Sequence, residues 1–200
     1  MQALLEPVSL SLSYKGERHY VQGADIWREA AREIRNWRDG SFVEHICFRT
    51  IATGHVMIRP PGEQERFGDL LVRHADGTCD EFHLVDSEVP LQSRRPYDER
   101  LVTDLMDFER GAGVLTGRAP FPIEDTLVSM IKAVCDRDGA PAAGSWLFVR
   151  MKSHSAIPES SIVAELRVEQ VQQIKGRFAK FRALADDRQI ADIDFCAGNT

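Results

Sequence analysis

The sequence predicts an α+β chain of two architecturally alike halves, each a curved antiparallel sheet wrapped around one central helix. Three observations predict it. The stretch FAKFRALADDRQIADIDFC alternates with a period of two: Ala179, Phe181, Ala183 and Ala185 share one side, and Ala191, Ile193 and Phe195 share a side after the Asp186-Asp187 turn signal. Such alternation marks half-buried antiparallel strands. Alanine is a poor strand former, so an alanine-rich face implies something bulky lying close against it. Second, one amphipathic helix pattern occurs on each side of a proline-bearing stretch, SEVPLQSRRPYDER. Third, the order strand, helix, then several strands is repeated across that stretch. A sandwich with an alanine-rich face is the competing reading.

The elements follow in order. VSLSLSY alternates, with Val8, Leu10 and Leu12 on one face. After Lys15-Gly16, GADIWREAAREIRNW places Ile26, Trp27, Ala30, Ile34 and Trp37 at helical spacing, and Asp39-Gly40 stops it. Three strand candidates come next: FVEHICFRTIATGHVMI, FGDLLVRHAD and TCDEFHLVDSEV, the last two joined by an Asp76-Gly77 turn. Residues 87–100 read as a connector, which sets the halves at 1–92 and 93–200. LVTDLMDFERGAGVLTGRA then predicts strand, turn and strand. PIEDTLVSMIKAVCD predicts a helix, with Pro122 near its start and Glu124 and Asp125 in a first turn whose dipole favours acids. SWLFVRMKSHS, SIVAELRVEQVQQI and the closing hairpin complete the second half.

Composition narrows function by exclusion. The chain has 200 residues and a net charge of −6, with its arginines scattered among carboxylates, which argues against a nucleic-acid surface. No apolar run approaches the length of a membrane span, and MQALLEPVSLSLSY lacks the basic and apolar regions of a secretion signal. Cys47, Cys79, Cys135 and Cys196 are widely spaced with no CxxC pair, so they read as reduced thiols of a cytoplasmic protein rather than zinc ligands. Histidine spacing offers no HxxxH or HExxH arrangement, and no GxGxxG, P-loop or GxSxG is present.

The second half carries a resemblance. Its long strand Ile162 to Val171, Lys175-Gly176-Arg177 kink, Phe178 to Ala185 strand, acidic turn and closing strand Ile190 to Phe195 resemble the C-terminal part of hotdog-fold proteins. The 3-hydroxyacyl-ACP dehydratases are the most similar group. LMDFERGAGVLTG is similar to the family's opening strand pair, and PIEDTLVSMIKAV takes the position of its central helix. The resemblance covers roughly residues 100–200, and the first half fits the same plan more loosely. It implies a double hotdog, with an acyl-thioester site where two units meet and the acyl chain lying along a helix beside residues such as Ile26, Leu127 and Met130. Dehydratase-like or thioesterase-like action on an acyl-CoA or acyl-ACP follows, without a metal or organic cofactor; self-association is left open. A non-catalytic acyl-binding or assembly subunit is the rival reading.

The same resemblance nominates residues. The family's histidine before the helix and its helix acid are missing from the second half, where the stretch is TGRAPFP and Ile131 or Lys132 takes the acid's place. The first half is richer. His19 falls near the histidine position and Glu29 within one residue of the acid, while Asp25, with Gln22 and the Gly23 backbone, suits a water-positioning role at a helix start. His19, Asp25 and Glu29 are thus the catalytic candidates, and Tyr14, Tyr20, Gln22, Gly23 and Arg118 the substrate-binding ones. Each has a plainer competing role. His19 suits a surface histidine, Asp25 a dipole complement and Glu29 a solvated i,i+4 partner. His45, His55, His74 and His83 fall in strand patterns and read as sheet-surface residues. The Lys175 to Arg182 run suits either a solvated strand face or contact with an acidic carrier or coenzyme A phosphate.

Overall fold

The alternation at the C-terminus is realised as the hairpin of β12 (Phe178–Ala185) and β13 (Arg188–Gly198), in the register Ala179↔Phe195, Phe181↔Ile193 and Ala183↔Ala191. All six of these side chains are fully buried. Asp186 and Asp187 both take positive φ, 48° and 63°, as a two-residue type I′ connection requires. On the opposite face Lys180 and Arg182 stand across from Asp194 and Asp192, so the polar side is charge-matched as well.

The structure, a computed structural model, describes residues 6–63, 65–139, 141–142 and 144–199. Residues 1–5, the start of the stretch read above for a secretion signal, lie outside the described residues. The chain divides into two compact units, Met1–Tyr97 and Asp98–Thr200.

In the second unit, β8 (Met106–Glu109) and β9 (Ala112–Thr116) precede helix α3 (Ile123–Asp138), which β10 (Ser145–Ser153) and β11 (Glu165–Ile174) follow. The strand order is β10-β13-β12-β11-β9-β8, every pairing antiparallel. One cross-strand row reads Gly113, Val168, Ala183, Ala191, Ser153, and these small side chains let α3 lie close. A Cβ at Gly113 would overlap the Met106 side chain and stand 3.1 Å from Val134 of the helix. The alanine face therefore has the cause inferred for it: a helix held against the sheet. The helix buries Ile123, Leu127, Met130, Ile131 and Val134 there. A short helix α2 (Arg100–Thr103) occupies part of what reads in the sequence as strand.

In the first unit, β1 (Val8–Ser9) and β2 (Tyr14–Lys15) precede helix α1 (Gly23–Trp37). Four strands follow: β3 (Phe42–Phe48), β4 (Gly54–Arg59), β5 (Gly68–Arg73) and β6 (Cys79–Pro90), and their antiparallel order with β1 is β1-β4-β6-β5-β3. The single strand expected over FVEHICFRTIATGHVMI is two strands. Arg49 and Thr50 turn out of β3 to bond the Phe67 carbonyl, and Asp86 binds the Thr53 and Gly54 amides where β4 begins. β7 (Arg94–Arg95), inside the stretch read as a connector, pairs in parallel with β2 and so belongs with this unit. The amphipathic face of α1 buries Ala24, Ile26, Trp27, Ala30 and Ile34. Among the described residues, no helix is long and apolar enough to cross a membrane.

Candidate functional site

At the start of α1 the sequence concentrates charge, and the fold buries part of it. Gln22 is the N-cap with its carbonyl accepting from the Asp25 and Ile26 amides, and Val21 is fastened to Ala52 through the backbone. Asp25, one per cent exposed, accepts three cations around one carboxylate: Lys15 at 3.1 Å, Arg28 at 2.8 Å, and Arg95. Lys15 is fully buried, and its ammonium also lies 4.4 Å from the Tyr97 ring centre. Arg18 approaches the same ring at 5.8 Å. The parallel β2–β7 pair puts Lys15 and Arg95 side by side, which is why both reach Asp25.

Glu29, one turn further along, is also engaged by cations: Arg32 at 2.7 Å and Arg28 at 3.3 Å, so Arg28 bridges Asp25 and Glu29. Tyr14 is tied to the backbone, its hydroxyl donating to the Thr53 carbonyl at 2.5 Å and accepting from the Leu91 amide at 3.3 Å. The Arg94 guanidinium covers its ring at 5.3 Å and donates to the Gly16 and Arg18 carbonyls. His19 lies exposed on the bend before the helix, with Tyr20 half-buried beside it, Gln22 buried and Gly23 half-buried. Arg118 is exposed in the second unit, in the loop between β9 and α3. The fold thus joins Asp25 and Glu29 through arginine, with Gln22 and Gly23 at the turn above Asp25.

Sequence reasoning did not nominate Arg28, Arg95 or Tyr97. Arg95 and Tyr97 sit in the proline-bearing stretch, and only the parallel strand pair brings them to the helix. Two histidines differ from expectation. His74 and His83, read as sheet-surface residues, are three and six per cent exposed. The His74 ring spans Ser41 Oγ at 2.8 Å and Asp80 Oδ2 at 2.9 Å, with Trp37 edge-on at 5.7 Å, so it knits the end of α1 to the β5–β6 hairpin. Of the thiols, Cys135 inside α3 is pushed up to about 12 by burial, with Asp136 and Asp138 adding to it, which keeps it an unreactive core side chain.

No family model and no curated protein matches the sequence. Solved structures do. The dehydratase domain of PpsC from Mycobacterium tuberculosis, in complex with C12:1-CoA, is 9% identical at a TM-score of 0.50, over 96% of this chain and 92% of that one. A pyran synthase domain from module nine of the sorangicin pathway is 9% identical at a TM-score of 0.53, over 97% and 92%. A protein assigned as thioesterase II from Thermobifida fusca YX is 10% identical at a TM-score of 0.50, over 96% and 92%. At such identities the likeness shows the fold alone. It is the hotdog fold of thioesterases and polyketide synthase dehydratases, as the resemblance in the second half implied.

Proposed function

We propose that the chain is a double hotdog that processes acyl thioesters carried on coenzyme A or acyl carrier protein, in a dehydratase-like or thioesterase-like reaction. The observation that carries this reading is a fold likeness extending over 96% of the chain to a protein named as a thioesterase and to a dehydratase domain in complex with C12:1-CoA. In the dehydratase form, His19 takes the α-proton of a 3-hydroxyacyl thioester while an acid gives a proton to the departing hydroxyl, so that an enoyl thioester and water form. In the thioesterase form, Asp25 orients water onto a carbonyl polarised by amides at the start of α1, near Gln22 and Gly23. Tyr14 and Tyr20 would then line the acyl or carrier portion.

A second reading, a non-catalytic acyl-binding or assembly subunit, is favoured by the cations around both nominated acids. Asp25 and Glu29 have their oxygens engaged by Lys15, Arg28, Arg32 and Arg95, which suits anchoring better than proton transfer. Incubation of the full chain with 3-hydroxyacyl, enoyl and saturated acyl thioesters separates the readings. On the enzyme reading one class is turned over, and His19→Ala lowers kcat by about 10²–10⁴ with the unfolding temperature unchanged. Binding without turnover selects the subunit reading, and the absence of binding to all three classes overturns both.

A further inference from the structure

We propose that Asp69, Glu81 and His83 form a binding site for a zinc-class divalent metal on the first unit, and that Arg66 occupies its centre until the metal displaces it. The three residues come from adjacent strands. Asp69 of β5 stands directly across from His83 of β6, and Glu81 lies two residues before His83 on the same face. One ligand atom from each, a carboxylate oxygen or an imidazole nitrogen, falls within 4.8 Å of the others. Bonds of about 2.0–2.2 Å to zinc would draw them together by roughly an ångström, well within the reach of side-chain rotation.

Two further features indicate a cation rather than a chance meeting of polar groups. His83 is buried, six per cent exposed, and its Nε2 accepts from Arg66, so the imidazole lone pair is aimed at a positive charge. Asp69 Oδ1 is likewise buried without a hydrogen bond, and faces Arg66 Nε across a 3.0 Å ion pair. Arg66 therefore holds the two ligands that a metal would take. It belongs to the irregular segment between β4 and β5, and its side chain is about a third exposed at 31%, so it can swing into water.

The other Asp69 oxygen is bound by Arg49 at 2.8 and 3.1 Å, a partner that would keep the carboxylate oriented once metal is bound. A divalent ion in place of Arg66 would balance the charge of the two carboxylates that hold it, with the Arg49 guanidinium remaining on the outer oxygen of Asp69. A cavity of about 250 Å³ lined by Arg59, Pro60, Gly62, Glu63 and His83 borders the site. Imidazole with carboxylate is a donor set suited to zinc. Local spacing misses the site because its ligands pair across strands rather than along the chain.

Titration of Zn²⁺ into the full chain by isothermal calorimetry tests this. One equivalent is expected to bind at micromolar concentration. Glu81→Gln and His83→Gln should each weaken binding by about tenfold or more, and Arg66→Ala should tighten it several-fold, since the competing guanidinium is gone. Glu81 and Arg66 are surface positions, so these variants keep the result interpretable if His83→Gln disturbs folding. Binding by the wild type only at millimolar concentration overturns the proposal, as does an affinity that neither Glu81→Gln nor Arg66→Ala changes.

Discussion

Lys15 shows what one residue in the wrong solvent demands. A fully buried ammonium is tolerated only with a counter-charge and further polarisable neighbours, here Asp25 and the Tyr97 ring. Removing the acid alone leaves a buried cation, so Asp25→Ala should destabilise the protein by about 3–5 kcal/mol, read as a fall in the urea midpoint. The double change Lys15→Met with Asp25→Leu should recover much of that loss, because Arg28 keeps Glu29 as a partner and the part-exposed Arg95 can turn to water. A double variant as unstable as Asp25→Ala would mean that the ion pair itself, not its completeness, carries the stability. Asp76 is the exposed counterpart. The Thr78 hydroxyl and amide hold its carboxyl down to about 2 from 3.8. A depressed acid contributes stability above its unfolded value and loses it on the way down, here as pH falls from 3.8 to about 2. NMR titration should find Asp76 taking up its proton last among the exposed carboxylates as acid is added, and Thr78→Val should bring it back toward the ordinary range.

At the scale of elements, the closing hairpin separates conformation from capping. Both turn residues have positive φ, yet only Asp186 uses its side chain, which accepts from the Ala164 amide at 3.0 Å and the Glu165 amide at 2.9 Å. Asp187→Gly should therefore stabilise by about 0.5–1 kcal/mol by relieving a left-handed backbone, whereas Asp186→Gly should destabilise by about 1–2 kcal/mol through two lost bonds. Thermal unfolding of the two variants checks the opposite signs. This hairpin was legible in the sequence because its pattern, turn and pairing are all local. The stretch 42–58 was not, since β3 pairs with β5 and β4 with β6, and nothing within seventeen residues announces partners that lie beyond them. Nor was β7 legible, because a two-residue parallel strand has no period to read. The same limit hides most of the candidate site. His19, Asp25 and Glu29 could be nominated from a stretch before and within one helix, but Arg95 reaches Asp25 across 70 positions.

The whole molecule imposes a condition on the proposed substrate. A chain of net charge −6 repels an anionic coenzyme A thioester at long range, so productive binding must rest on local positive charge. In the first unit such charge lies near the start of α1, where Arg28 and Arg95 pair with the buried Asp25 while Arg18 and Arg94 lie over the Tyr97 and Tyr14 rings. Repulsion over the whole surface and attraction at short range respond oppositely to salt. If the far field dominates, screening raises affinity; if the arginines contact the phosphates, screening lowers it. On the proposed function, acyl-CoA binding measured by calorimetry should weaken as salt rises from about 0.05 to 0.5 M, across which the Debye length shrinks from well above a contact distance to near one. Arg94→Gln should weaken binding at low salt and flatten that dependence, since it removes one of the contacts being screened. Affinity that rises with salt, with the same slope in Arg94→Gln, would place the anionic end of the ligand away from the α1 start and remove this surface from the acyl-thioester reading.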